Sequence, residues 1–375
     1  MMPDAAYRMP AADPAPRLPR VWILLGKGTG GNGQMRSLAD ALGWPYECKR
    51  LSHNALNVLP NLLLGASVTS VDRRRSDALT PPWPDLVIAA SRRSAPVALW
   101  IKRQSEGRTR LVHLLHTQAP LDRFDLVVTL PQYRLPDRSN VLHITGPLNR
   151  IDPARVQEAT GRWGPRLAHL PRPFTALIVG GSSSSYELDA RTATRLAQEA
   201  SARAKPGSLL VSTSPRTPDA ATDALFAAIE GPSHLYRWRR DDPENPYFAL
   251  LALADRFIVT VDSASLAIEA CSTRKPVEVF EWPRRDGRTM PNEPSEPGVM
   301  TRLRTSATDA LIYLGLIKPA RDFDAFHRVL RERGLTTRLG HSGVERPRRS
   351  LDDLEQTVAR VRQLFAGEYH SRRMR

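Results

Sequence analysis

Cysteine is nearly absent from this chain, with 2 residues in 375, Cys48 and Cys271, far apart. That excludes a disulfide-stapled scaffold, and two free thiols suit a reducing cytosol. Two cysteines and 9 scattered histidines offer no zinc-ligand spacing, so no metal is expected. Long apolar runs are missing too. The best candidate, residues 248–261, is broken by Asp255 and Arg256 and falls short of the roughly 18 residues of a spanning helix. Residues 1–20 lack the apolar core of a secretion signal, and their Ala, Pro, Asp4 and Asp13 predict a disordered leader. Carboxylates are in deficit, Asp+Glu 39 against Lys+Arg 54, for a formal net charge of +15. This surplus favours anionic partners: nucleic acid, an anionic membrane surface or a phosphorylated substrate. Aromatics reach only 6% and are not interleaved with basic residues, so nucleic acid is not the expected partner.

What the chain has is alternation. Strand-like runs at 21–25, 46–50, 86–90, 110–115, 126–130 and 141–145 enclose helical patterns such as 33–42 and 95–104. A second series follows at 175–179, 209–213, 234–237, 257–261 and 276–280, with helices at 190–204, 219–229, 246–254 and 265–272. Strands alternating with helices imply parallel sheets covered on both faces. The fold class is therefore α/β, two Rossmann-like domains in series with a cleft between them. The boundaries read 1–19 leader, 20–150 first domain, 151–173 connection, 174–318 second domain, and 319–375 helical segment and basic tail. Residues 284–304 read as a long mobile loop, 351–365 as an amphipathic helix, and 370–375 as a frayed basic end.

Open α/β sheets bind ligands outside the carboxyl ends of their strands. The most informative such end is Asp262-Ser263-Ala264-Ser265, between a β-branched strand and a helix. Helix N-termini favour anions, and Glu269 lies one turn beyond Ser265 on the same face, placed to accept ribose hydroxyls. Gly180, Gly181, Ser182 and Ser183 end an earlier strand; Ser214, Arg216 and Thr217 end the next. Three strand ends rich in small hydroxyl residues predict one crevice and a nucleotide site, with Arg216 toward a diphosphate. Each taken alone also reads as an ordinary strand–helix turn.

In the first half, Gly26, Gly28, Thr29, Gly30, Gly31 and Asn32 follow the first strand, and Arg92 and Arg93 follow the third. Gly26, Gly28 and Gly31 match G-x-G-x-x-G, with Glu47 as a ribose acceptor in a competing dinucleotide reading. A general acid or base is harder to place. His113 reads as packed, and His116, at a strand end, is the histidine that faces the cleft. No carboxylate pair or Ser–His–Asp set stands out.

From about residue 21 to 316 the chain resembles the mitochondrial fission protein family of the elongated-mitochondria type. The resemblance rests on Gly26 to Gln34, Ser91-Arg92-Arg93-Ser94-Ala95-Pro96, Phe124-Asp125-Leu126-Val127-Val128, Gly180-Gly181-Ser182, Ser214-Pro215-Arg216-Thr217, Asn245-Pro246-Tyr247 and the run from Asp262 to Val277. Leu114-Leu115-His116-Thr117-Gln118 departs from it by lacking a Pro-containing turn. The family is similar to two-domain GT-B glycosyltransferases, and Thr29-Gly30-Gly31-Asn32 to the Gly-rich loop of the lipid-linked muramyl N-acetylglucosaminyltransferases.

That likeness implies a GT-B-like arrangement with a nucleotide-sugar as substrate and no cofactor or metal. The donor side would be Gly180, Gly181, Ser182, Ser183, Ser214, Arg216, Thr217, Asp262, Ser263, Ser265 and Glu269. The acceptor side would be Gly28, Thr29, Gly30, Gly31, Asn32, Arg92 and Arg93. Asn32 stands where the likeness supplies a histidine, and an amide accepts no proton near neutral pH. The catalytic base is then relocated or lost, with Asn32 and His116 as candidates. Three functions follow: a glycosyltransferase-like protein acting on an anionic or lipid-linked acceptor, a nucleotide-sugar epimerase, or a non-catalytic membrane-associated adaptor. The expected location is cytoplasmic, peripheral on the inner face of the membrane.

Overall fold

A computed structural model describes residues 17–148, 151–183, 185–285, 287, 310–312, 316, 322–341 and 351–366. Most of the leader, most of the 284–304 loop and the 370–375 tail lie outside the described residues.

Among the described residues the buried runs form two sheets, each of six strands and parallel throughout. The first contains β1 (Val21–Leu25), β2 (Tyr46–Arg50), β3 (Leu86–Ala90), β4 (Arg110–Leu114), β5 (Leu126–Thr129) and β6 (Val141–His143), in the order β2-β1-β3-β4-β5-β6. The second contains β7 (Phe174–Ile178), β8 (Ser208–Ser212), β9 (Ser233–Tyr236), β10 (Arg256–Thr260), β11 (Val277–Phe280) and β12 (Thr337–Arg338), in the order β12-β11-β10-β7-β8-β9. β1, β3 and β7 are buried at every position, because helices on both faces leave no solvent side to alternate with.

Helices α1 (Thr29–Leu42), α2 (Asn61–Leu64) and α3 (Ala95–Gln104) belong to the first unit. The second carries α5 (Ala190–Ala204), α6 (Asp219–Ala227), α7 (Tyr247–Leu253), α8 (Ala264–Ser272) and α9 (Phe323–Glu332). Between them runs α4 (Pro153–Leu167), on residues that the sequence reads as a connection. It starts at an Asp152 cap and buries Trp163 and Leu167 in the second core. The last helix, α10 (Asp353–Gln363), returns to the first domain, where Val361 and Phe365 join the core beneath α1. Among the described residues no helix is long and apolar enough to cross a membrane.

Topology decides where ligands go. In the first sheet successive connections diverge between β1 and β3, and in the second between β7 and β10. At these switch points the helices leave toward opposite faces and open a crevice beyond the strand ends. The residues there are the Gly26 and Ser91 loops in one domain and the Gly180 and Asp262 loops in the other.

Candidate functional site

At the second switch point the turns interlock. Gly181 has φ +144°, and the Ser182 amide donates to the Arg216 carbonyl at 3.1 Å. Thr217 Oγ1 donates to Gly180 O at 2.7 Å, and Ser214 Oγ donates to the same carbonyl. The Ser182 hydroxyl accepts from Leu188 N at 3.1 Å. Ser182, Ser214 and Thr217 therefore build the cradle with their hydroxyls.

Asp262 is buried, accepts from Gly181 N at 3.0 Å, and pairs with an Arg216 guanidinium nitrogen at 2.8 Å. Burial raises its carboxyl above the ordinary 3.8, against the opposing pull of Arg216 and the hydrogen bonds. A raised folded-state pKa makes the Asp262 contribution to stability complete below the unfolded value and lost as pH climbs through the folded one. Asp262→Asn should therefore flatten the fall in unfolding free energy above about pH 4 that this group causes. Chemical denaturation across that range checks it, and parallel curves for the two proteins would overturn the assignment.

Ser183, Ser214, Arg216, Asp262, Ser263, Ser265 and Phe323 face Gln34, Leu115, Leu130, Gln132, Tyr133 and Pro147 of the first domain across a cavity of about 560 Å³. Ser263 and Ser265 sit at the start of α8, which has the free amides of its first turn. Glu269, one turn on, lies off this cavity and accepts from the Tyr247 hydroxyl. Burial beside Glu269 pushes that phenol well up.

At the first switch point a smaller cavity of about 300 Å³ is lined by Gly26, Lys27, Gly28, Gly31, Asn32, His53, Ser91, Arg92, Arg93 and Leu115. Thr29 and Gly30 lie in the first turn of α1. Asn32 folds back on its own loop: Oδ1 accepts from Gly26 N at 3.1 Å and Nδ2 donates to Gly26 O at 2.8 Å. Its amide shapes the turn. Arg92 donates to Leu59 O at 2.7 Å and to Asn57 O, whereas Arg93 is exposed. Ser91 and Leu115, neither a glycine, have φ of 78° and 71°, a strained conformation at two adjacent strand ends. Leu115 lines both cavities, so they adjoin.

The histidines divide by environment. His113 is buried, bonded to Ser91 O, and burial lowers it to about 4, leaving it neutral. His116 is also buried: Nδ1 accepts from Gln118 N at 3.0 Å and the ring lies 6.3 Å from that of Tyr133. It lines neither cavity. Glu47 is paired on the surface with Lys49 at 2.7 Å, away from the Gly26 loop.

Several residues at the site carry no local sequence signal. His53 lines the first cavity; burial, then the fields of Arg93, Arg92 and Lys27, lower its pKa, and its buried Nδ1 has no hydrogen-bond partner among the described residues. His327 of α9 bonds Val261 O at 2.7 Å, beneath the Asp262 turn. Gln132, Tyr133 and Phe323 reach the cleft from short or distant elements.

Two open parallel α/β domains, each with a crevice at its switch point and facing the other across a cleft, define a GT-B-like protein. The chain belongs to the mitochondrial fission ELM1 family, whose model matches residues 29–292. It is similar to mitochondrial fission protein ELM1 of Arabidopsis thaliana, 30% identical over 251 residues covering 61% of this chain. The match spans 58% of that relative's length. Among solved structures, UDP-GlcNAc 2-epimerase from Neisseria meningitidis bound to UDP-GlcNAc is 12% identical, with a TM-score of 0.42 over 84% of this chain and 98% of its own. A UDP-glucosyltransferase from Polygonum tinctorium is 10% identical, with a TM-score of 0.44 over 92% of this chain and 98% of its own. At these values the likeness is one of outline.

Proposed function

We propose that the protein is a metal-independent, glycosyltransferase-like member of its family that binds a nucleotide-sugar in the second domain and takes an anionic or lipid-linked acceptor in the first. One observation carries the reading: a cavity walled by Ser214, Arg216, Asp262 and the first turn of α8 adjoins, through Leu115, a cavity ringed by Lys27, His53, Arg92 and Arg93. An anion in each would bring donor and acceptor side by side. Helix N-terminal amides and Arg216 would stabilise the departing diphosphate, and positioning would supply much of the rate. Arg216 must turn from Asp262 toward the phosphate or be shared with it. The neutral imidazole of His53 is in the protonation state that accepts a proton from an acceptor hydroxyl.

A non-catalytic adaptor of the same fold is the second reading, favoured by the commitment of Asn32 to the Gly26 peptide. Thermal shift of the full chain against UDP, GDP, CMP, ADP, their sugars and NAD(H) tests the site. Stabilisation by one nucleoside diphosphate and its sugar is expected, and Arg216→Ala, which removes the cation from the cavity wall, should weaken that nucleotide at least a few-fold. No shift with any of them overturns the donor site, and NAD(H) alone would select the dinucleotide reading. Tight binding without turnover selects the adaptor.

A further inference from the structure

Eight large apolar side chains are exposed among the described residues, and five of them, Leu56, Val58, Leu59, Leu62 and Leu63, fall between β2 and β3. Val58 is 77% and Leu63 72% exposed. Scattered surface leucines need no explanation, but a cluster this dense marks an interaction site. We infer that residues 55–64 form an interfacial wedge that docks the protein on an anionic lipid bilayer. This rests on the lipid-linked acceptor of the proposed function and is independent of nucleotide binding.

Three features select lipid. The first is charge. No Asp or Glu occurs between Glu47 and Asp72, and exposed Arg73, Arg74 and Arg75 leave the base of the excursion, which the His53–Val71 bridge closes. Cations beside an apolar projection complement an anionic headgroup layer.

The second is backbone satisfaction, since unpaired peptide groups are costly in an apolar medium. The wedge pairs many of its own. Asn54 O accepts from Asn57 N, Leu56 O from Leu59 N, Pro60 O from Leu63 N and Leu64 N, and Asn61 O from Gly65 N. The carbonyls of Asn57 and Leu59, which helical turns leave over, are taken by the Arg92 guanidinium. Buried Asn61 donates to Arg92 O at 2.8 Å and Thr117 O at 2.9 Å, pinning the wedge to the domain.

The third is position. Arg92 both braces the wedge and lines the 300 Å³ cavity with Lys27, His53 and Arg93. A wedge seated among acyl chains would hold this basic cavity against the headgroup phosphates. Being far shorter than a span, it would enter one leaflet only.

Flotation of the full chain with phosphatidylcholine vesicles, with and without phosphatidylglycerol, tests this. Binding to the anionic vesicles alone, reduced by raising salt from about 0.1 M to 1 M, is expected. Val58→Ser with Leu63→Ser should lower that binding about tenfold or more, and both sites are exposed enough to leave the melting temperature and the nucleotide shift unchanged. Wild-type binding by the double variant overturns the wedge, and equal binding to neutral vesicles overturns the charge requirement. Absence of vesicle binding, with a concentration-dependent dimer that the double variant abolishes, assigns the surface to a second copy of the chain instead. A lost nucleotide shift with intact vesicle binding would remove the donor site and leave the wedge standing.

Discussion

Gly181→Ala should destabilise the protein by about 3 kcal/mol or more, while Gly161→Ala should stabilise it by about 0.5–1 kcal/mol. At Gly181, φ +144° is a conformation that side chains with a Cβ rarely adopt. An added Cβ would also stand 2.1 Å from the Arg216 carbonyl oxygen and 2.6 Å from the Thr217 nitrogen. Neither atom can retreat cheaply, because the Ser182 amide grips Arg216 O and Thr217 Oγ1 grips Gly180 O. Relief would have to pull the β7 and β8 turns apart, so nucleotide binding should disappear with the stability. Gly161, on exposed α4, would meet nothing within 4 Å, and alanine there only lowers the entropy of the unfolded chain. Urea denaturation of both variants decides the matter. A wild-type midpoint for Gly181→Ala would mean that the two turns are not locked together as the hydrogen bonds imply.

The second large effect is expected at the far end of the chain. Asp353→Ala should cost about 2–5 kcal/mol, because it strands two buried amides at once. Asp353 Oδ1 accepts from Thr145 N at 2.8 Å and Oδ2 from Gly146 N at 2.9 Å, where the first domain hands over to the second. No looser packing can absorb the loss: a Cβ on Gly146 would lie 2.2 Å from Ile268 Cγ1 of α8, so this strand exit is pressed against the other domain. Asp353 is also the first residue of α10, whose Val361, with Phe365 just past the helix end, completes the first core; the Phe365 ring meets Trp44 edge-on at 5.2 Å. Asp353→Asn, which retains one carbonyl acceptor, should recover part of the stability. Amide exchange at Thr145 and Gly146 should quicken in the alanine variant. A loss below about 0.5 kcal/mol would show that α10 holds without its clasp.

How the domains come to face each other was not readable from these residues alone. Asp353 pairs with amides more than 200 positions away, and no pattern within a helix distinguishes that carboxylate from an ordinary acid in the first turn. His327 and Phe323 present the same difficulty, since α9 matters at the site only because it packs under the Asp262 turn. His53 reads as a loop histidine until β3 and α1 bring Arg92, Arg93 and Lys27 around it. Leu62 and Leu63 look like helix-forming core residues, yet only Leu64 of that run turns inward. Asn32, read as a residue for substrate, closes its own loop.

The strands were legible for the opposite reason. Runs such as 21–25 and 86–90 are continuously apolar and β-branched, and a strand buried on both faces can be little else. Strand–helix alternation, with small residues after several strands, settled the α/β class and marked the loops at Gly26, Gly180, Ser214 and Asp262. Those are local properties, set within a few residues by burial and backbone freedom. Which loops share a crevice, which arginine meets which carboxylate and which leucines stay in water depend on strand order and on the return of α10. These are long-range pairings between segments that are locally equivalent, and they become distinct only when the sheets assemble.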